Sequence, residues 1–252
     1  MQFYDDLADF YELIFPDWER SMARQSAAIS EVLLTHGPLK TVSGFRVLDV
    51  AAGIGTQALP LAALGFDVTA RDLSERAIDR LRREAKSRGL SIDIAQADMR
   101  TLRDSVSGPF EAVIAFDNSV THLPSDGEIT KALTGFRESL IDGGLLLLSV
   151  RDYDQVDRSH DSSHPYGERI RGEQRFRLRQ DWTWVDDSHY STAFVVEEHD
   201  GTDWAEVVRT TAEYYAVPVA RLLALMEESG FKSRVVTEVP FYQPMLMGRR
   251  AV

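Results

Sequence analysis

The chain of 252 residues contains no cysteine. Disulfides, thiolate metal sites and a cysteine nucleophile are therefore excluded. Positive charge is also scarce: 28 Lys and Arg stand against 40 Asp and Glu, for a formal net charge of −12. Polyanions are gripped by clustered Lys and Arg, so neither nucleic acid nor an anionic membrane surface is an expected partner. A small anionic substrate stays open, because one local arginine suffices to hold it. Long apolar runs are missing too, since no stretch of about 18 apolar residues exists to span a bilayer. The first thirty residues carry acids throughout and no unbroken apolar core, so no signal peptide is expected. These absences fit a cytoplasmic protein.

What the chain does contain is an alternation of short apolar runs and amphipathic stretches. Its length suits one large domain, or one domain carrying an insertion. Residues 1–35 are rich in helix formers and end at His36-Gly37-Pro38, a stop signal. Apolar runs at 45–50, 66–72, 91–98, 110–117 and 145–150 predict strands, the last preceded by the turn IDGG. Helices are expected at 56–65, 74–89 and 129–140 between them, with Ser74 as an N-cap. Strands alternating with helices of this length predict a parallel sheet covered on both faces. The pattern changes after Arg151. Residues 155–168 are polar and aperiodic, which predicts a loop. Residues 169–216 then alternate with period two around an Asp200-Gly201 hairpin signal, which predicts a three-stranded antiparallel patch. A helix over 218–230 and two closing strands complete the chain. The expected organisation is an N-terminal helical lid (1–40), an α/β core (41–154), an antiparallel cap (155–217) and a C-terminal helix with strands returning to the core sheet (218–252).

The most informative stretch is RVLDVAAGIGTQ, residues 46–57. Gly53-Ile54-Gly55-Thr56-Gln57-Ala58 follows a strand and satisfies G-x-G-x-x-G/A, and Asp72 closes the next strand, where a ribose-binding acid belongs. Glycines let a ligand approach the backbone, and a carboxylate accepts hydrogen bonds from ribose hydroxyls. Taken alone, the pattern fits NAD as well as other adenosine-containing ligands. Three features turn it away from NAD. Asp49 precedes the glycines, where it would repel a pyrophosphate and attract a cation. Asp98, in AQADM, offers a second acid suited to an exocyclic adenine amine, with Met99 to cover the ring. No tyrosine begins a Y-x-x-x-K motif.

In order along the chain, VLDVAAGIGTQ, VTARDLS, QADM, FEAVIAFDNSVTHL and IDGGLLLLSVRDYD resemble the successive motifs of class I S-adenosylmethionine-dependent methyltransferases. NSVTHL and RDYD are similar to the glycine and sarcosine N-methyltransferase branch. The resemblance covers residues 45 to 153 and departs at Ala51, where the superfamily usually has glycine. It implies a Rossmann-like, seven-stranded, mostly parallel sheet whose last strand is antiparallel, with an antiparallel insertion after the fifth strand. It also implies S-adenosylmethionine as cofactor and a small amine or amino acid as acceptor. O-methylation, N-methylation of an amino sugar, cofactor binding without turnover, and a nicotinamide-dependent oxidoreductase are the alternatives.

Carried onto this sequence, the resemblance gives Gly53 and Gly55, flanked by Ala51, to the methionine part of the cofactor, with Asp49 ordering the loop beneath. Asp72 takes the ribose, with Leu73 beside it, while Asp98 and Met99 take the adenine, Phe116 packs on the cofactor, and Arg24 reaches the cofactor carboxylate. Asn118 stands near the acceptor, Arg151 holds the acceptor carboxylate, Tyr153 lines the same pocket, and His122 is a candidate proton acceptor. Each has a plain structural alternative: a packing glycine, a strand-end turn acid, a helix-capping histidine, or an Arg151 salt bridge to Asp152 or Asp154. Tyr4, Tyr11 and Trp18 are candidates for an aromatic lid face. Trp182, Trp184, Tyr190, Tyr214 and Tyr215 fit either a pocket wall or a homodimer contact. Ser159-His160-Asp161 and His164 lack metal-ligand spacing, so no metal is expected.

Overall fold

A computed structural model describes residues 2–102 and 105–251. Eleven strands and six α-helices are found among them. The core strands are β1 (Arg46–Asp49), β2 (Asp67–Asp72), β3 (Asp93–Gln96), β4 (Phe110–Ala115) and β5 (Leu140–Ser149), joined by β10 (Phe231–Val236) and β11 (Met245–Arg250). They form one sheet in the order β10-β11-β5-β4-β1-β2-β3, in which β11 runs antiparallel to both of its neighbours and β1 to β5 run parallel. This is the expected seven-stranded Rossmann-like architecture.

Side chains alternate between the two faces of the central strands, as the period of two requires. Val47, Ala112, Ile114, Leu145 and Leu147 pack on one side beneath α2 (Trp18–His36), α3 (Ala58–Ala63) and α4 (Glu75–Ser87). Leu48, Val113, Ala115, Leu146 and Leu148 pack on the other beneath α5 (Asp126–Ser139) and α6 (Val219–Glu228). Burial on both faces explains why β4 and the end of β5 read as unbroken apolar runs. Ser74 caps α4, its hydroxyl accepting from the Ala77 amide at 3.1 Å.

Three local expectations are corrected. The N-terminal helix is split into α1 (Gln2–Leu7), a 3-10 turn (Tyr11–Ile14) and α2. Pro16 disfavours helical backbone at Phe15, which is extended, and Asp17 restarts the helix by accepting from the Arg20 amide. The IDGG segment lies inside β5, which already pairs at Leu140; the register slips there by bulging, with Gly143 at φ +74°. The predicted loop at 155–168 holds most of a strand, β6 (Ser162–Arg171). With β7 (Gln174–Trp184), β8 (His189–His199) and β9 (Trp204–Tyr215) it makes a four-stranded antiparallel sheet, where three strands were expected. β6 is a mostly exposed edge strand, bulged between Pro165 and Gly167, so neither of its faces imposes an apolar period.

This second sheet lies over the C-terminal ends of the parallel strands, and the N-terminal segment is clamped against it. Phe3, Leu7 and Leu13 pack on Phe176, Leu178, Phe194 and Val196. Glu12 joins three parts of the molecule: one carboxylate oxygen accepts from Arg80 of α4 at 2.6 Å, the other from Arg171 of β6 at 3.1 Å. Asp5 accepts from the Ser74 hydroxyl at 2.6 Å. Charge-assisted bonds of this kind contribute about 1.5–3 kcal/mol each where they are shielded from water. Replacing Glu12 by Ala should therefore accelerate hydrogen exchange across residues 2–14 while leaving β1 and β4 protected. Unchanged exchange in the N-terminal segment would show that the clamp is apolar alone.

Candidate functional site

β1, β2, β3 and β4 all deliver their C-terminal ends to one crevice, beside the point where the chain order of the sheet reverses between β1 and β4. The glycine loop leaves β1 there. Gly53 has φ +52°, and a Cβ added to it would meet no atom within 4 Å, so its exposed backbone faces open space. Its amide donates to Asp72 Oδ2 at 2.8 Å, while Asp72 Oδ1 accepts from the Ser74 amide at 2.8 Å. Two backbone donors thus fix this carboxylate at the mouth of the loop. Gly55 has a different task. At φ +101°, an added Cβ would lie 2.4 Å from Leu81 and 2.7 Å from Leu59, and Gly55 does not line the crevice. It is a packing glycine, correcting the expectation of a ligand contact. Ala51 avoids positive φ, so its side chain is tolerated in the loop.

The crevice encloses about 460 Å³. Ala51, Gly53, Asp72, Leu73, Asp98, Met99 and Phe116 all line it, and Tyr4, Tyr11, His122 and Tyr214 close it from above. Asp49 lies beneath the loop rather than on the wall. Its Oδ1 accepts from the Ala51 amide at 3.3 Å, and its buried Oδ2 has no partner. Burial, aided by Asp72 and Asp117, pushes its pKa up to about 8. Asp98 is paired with Arg100 at 2.5 Å, which holds it below the usual carboxylate range. Arg24 does not reach the crevice: it is exposed on the outer side of α2, and its neighbour Gln25 points inward instead. Trp18 also turns away from the lid, donating its indole N–H to Thr56 at 3.1 Å.

A second cavity of about 300 Å³ adjoins the first, with Phe3, Tyr4, Tyr11, Asp117 and Tyr214 lining both. Asn118 and Arg151 belong to it. The Asn118 amide group is held at both ends, since its Oδ1 accepts from the Arg151 amide at 2.9 Å and its Nδ2 donates to the Tyr153 hydroxyl at 2.7 Å. Tyr153 is completely buried and lines neither of these two cavities. It sits behind the wall, in contact with Tyr190 at 3.0 Å, which corrects its expected place in the pocket. The Arg151 guanidinium donates to the Tyr190 hydroxyl at 3.0 Å and lies 4.3 Å from the centre of the Trp182 ring. It has no carboxylate within ion-pair distance among the described residues, so the salt bridge to Asp152 or Asp154 does not form. Trp182, Tyr190 and Tyr214 are buried within the chain rather than open to a dimer contact, and Tyr214 lines both cavities.

His122 faces the first cavity, 2.6 Å from the Tyr4 hydroxyl, with its ring centre 4.1 Å from that of Tyr214 at a tilt of 43°. Burial lowers its pKa to about 4, so it is a neutral hydrogen-bonding ring at physiological pH. Sequence reasoning missed Asp117, Gln57 and Gln25. Gln57 Nε2 donates both to Gln25 Oε1 at 2.8 Å and to Asp117 Oδ2 at 3.1 Å. The signal for Asp117 was the one already noticed at Asp49: an acid closing an apolar strand.

The two glycines separate binding from stability. Gly55→Ala adds left-handed strain of about 1–2 kcal/mol to an overpacking cost of about 1–3 kcal/mol, and urea unfolding should show the sum. Gly53→Ala should cost only the strain but obstruct the crevice. Equal destabilisation by the two would refute this division.

The crevice suits a cationic adenosine ligand: a bare backbone cradle, a carboxylate fixed by two backbone amides at its mouth and an unpartnered buried acid oxygen beneath. Residues 47–144 match the family model of a methyltransferase domain. The glycine/sarcosine N-methyltransferase of Halorhodospira halochloris is 33% identical over 150 residues, covering 59% of this chain and 56% of that protein. The chain spans about half the length of the curated relatives it matches. Among solved structures, Streptomyces venezuelae DesVI superposes with a TM-score of 0.80 at 20% identity, over 97% of this chain and 98% of that one. The sugar N-methyltransferase KedS8 from a Streptoalloteichus species gives 0.76 at 18% identity, over 96% and 93%. The likeness of fold therefore extends through the four-stranded sheet as well as the core. The chain carries a methyltransferase domain, of the class that takes its methyl group from S-adenosylmethionine.

Proposed function

We propose that this chain transfers the methyl group of S-adenosylmethionine to the nitrogen of a small amine or amino acid, of the glycine or sarcosine type. One observation carries the reading: the glycine-loop crevice opens beside a cavity whose arginine has no carboxylate partner among the described residues. In this reading Asp72 takes the ribose hydroxyls, Asp98 and Met99 the adenine, and Gly53 the methionine part. Asp49 orders the loop from beneath through the Ala51 amide, and Phe116 packs against the ligand. Arg151 holds the acceptor carboxylate, because a guanidinium fork matches that group. Asn118 and Tyr153 hold Arg151 in place. The relatives named as glycine and sarcosine N-methyltransferases support the acceptor class. The setting we favour is cytoplasmic.

The bound cofactor would supply an electrophilic methyl on a sulfonium, whose charge is lost as the methyl moves. The chain's own task is orientation, worth on the order of 7–11 kcal/mol for well-aligned reactants. Tyr4, Tyr11 and Tyr214 exclude water from the boundary between the two cavities, which leaves an amine lone pair desolvated.

A second reading rests on a third cavity of about 470 Å³. It shares Arg151, Tyr166 and Gln180 with the second and continues past Trp182 and His164. That is more room than glycine needs, and KedS8 is named as a sugar N-methyltransferase. An amino sugar is therefore the alternative acceptor. Formation of S-adenosylhomocysteine with glycine, sarcosine and simple amino hexoses decides between the two. Turnover with none of them, while S-adenosylmethionine binds, would mark a binding protein.

Asp72→Ala should weaken S-adenosylmethionine binding by about 1.5–3 kcal/mol in calorimetry, the worth of hydrogen bonds to a charged group. Arg151→Ala should raise the Michaelis constant for a carboxylated acceptor and leave cofactor affinity alone. Equal losses in both constants would make Arg151 structural.

A further inference from the structure

The turn after β4 places two successive non-glycine residues in the left-handed region, Asp117 at φ +58° and Asn118 at φ +66°. Such backbone is costly for residues with a side chain and persists where the surroundings hold it. Here the holding is visible. The Asp117 amide donates to Ser149 Oγ at 2.9 Å and the Asn118 amide to the Ser149 carbonyl at 3.1 Å. The effect is to turn the Asp117 carboxylate onto the boundary of both cavities, whereas Asn118 faces only the second.

One oxygen of that carboxylate is fixed. Asp117 Oδ2 accepts from Gln57, whose other amide hydrogen is committed to Gln25, and Gln25 in turn donates to Ser21 at 3.1 Å. This chain of side chains anchors the acid to α2. The other oxygen, Oδ1, has no protein hydrogen bond among the described residues, and no protein cation compensates the charge. Across the second cavity stands Arg151, equally without an ion-pair partner there. A half-buried carboxylate and a half-buried guanidinium that face one small space without meeting each other are each costly alone. A zwitterion fitted between them satisfies both.

We infer that Asp117 binds the ammonium group of the acceptor, opposite Arg151 at its carboxylate, and takes the proton that this nitrogen must lose before it is methylated. The inference rests on the proposed N-methyltransferase reading and narrows its acceptor to an α-amino acid. The step balances simply. The ammonium proton passes to Asp117 Oδ1, leaving a neutral amine. The freed lone pair forms the bond to the methyl carbon as the carbon–sulfur bond breaks, its electrons remaining on sulfur. The nitrogen of the product carries the positive charge, and Asp117 returns its proton to solvent.

The surroundings suit this work. Burial raises the pKa of Asp117 to about 6, against the opposing Gln57 bond, which leaves it ionised at neutral pH yet a better base than an exposed carboxylate. The groups facing it are Tyr4 and Tyr11 from the N-terminal segment, Tyr166 from β6, Tyr214 from β9, Asp49 and Asp72 from β1 and β2, and Arg151 and His122. Burial pushes all four tyrosines upward, so they stay neutral, and His122 is already neutral above about pH 4. Asp49 titrates higher, at about 8, and lines neither cavity.

The test compares the unsubstituted chain with Asp117→Asn, which keeps the turn geometry and can still meet Gln57. With glycine or sarcosine, the unsubstituted enzyme should show an acid limb in kcat/KM near pH 6. In Asp117→Asn that limb should vanish, kcat/KM at pH 7 should fall on the order of 10²-fold, the usual worth of a positioned base, and activity should climb tenfold per pH unit toward the pKa of the free amine. Calorimetry on the protein saturated with S-adenosylhomocysteine supplies a readout besides turnover. Glycine should outcompete acetate on the unsubstituted chain and lose that advantage in Asp117→Asn, with S-adenosylmethionine affinity and thermal midpoint unchanged. An intact acid limb in the variant, or a loss confined to cofactor affinity, overturns the inference and leaves the N-methyltransferase reading standing. Failure of the unsubstituted chain to bind or methylate glycine and sarcosine overturns the amino-acid acceptor, and the inference with it.

Discussion

Asp72 and Asp117 stand on the wall of one crevice and Asp49 lies beneath its loop, and none of these three carboxyl groups has an ion-pair partner among the described residues. Asp49 ends β1, Asp72 ends β2 and Asp117 follows β4, and burial raises the pKa of each. Desolvation is the main cost at all three, and neighbouring acids add to it at Asp49 and Asp72. A fold tolerates this where ligands bring the missing positive charge. The other features of the site follow from that need. The bare backbone at Gly53 gives a ligand access to the acids, the amides of Gly53 and Ser74 hold Asp72 in place, and the Gln25–Gln57 relay does the same for Asp117.

The opposite wall is built from different material. Around the second cavity the N-terminal segment and the four-stranded sheet contribute aromatic rings, hydroxyls and an amide, and Arg151, which follows β5, adds a positive charge. Its guanidinium lies over Trp182 and donates to Tyr190, which meets Tyr153, which in turn accepts from Asn118. A flat cation on an aromatic face keeps most of its hydrogen-bonding capacity free for a ligand. The acids of the crevice and the arginine across the second cavity therefore give the site two ends of opposite sign.

Much of this was legible in the chain because parallel strands buried on both faces leave continuous apolar runs, and the acids that end them stand out. Asp49, Asp72 and Asp98 were found in this way. Asp117 obeyed the same grammar but was read as part of its strand, since a left-handed turn at an aspartate leaves no mark in the sequence. Arg24 was chosen for its charge, whereas the helix presents Gln25 to the interior; one position rotates a side chain by about 100°. Gly55 fitted the motif, yet its neighbours across the fold, Leu59 and Leu81, decide its role, and no local pattern encodes them. Strand β6 escaped because an exposed edge strand has no buried face to set a period. Tyr153 was placed correctly along the chain and wrongly in depth, since its burial depends on the sheet that folds over it.

The paired left-handed residues after β4 also constrain how this site can diverge. Position 117 admits little beyond aspartate, asparagine and glycine, the residues at ease with that backbone. Those three differ chiefly in whether a negative charge is present. Descendants of this chain that keep the turn thus have a short alphabet at the boundary of the two cavities, in which one nucleotide change can exchange a charge-bearing letter for a neutral one without reshaping the loop. Preference between charged and uncharged acceptors would then drift at a single site, long before the surrounding architecture had to follow.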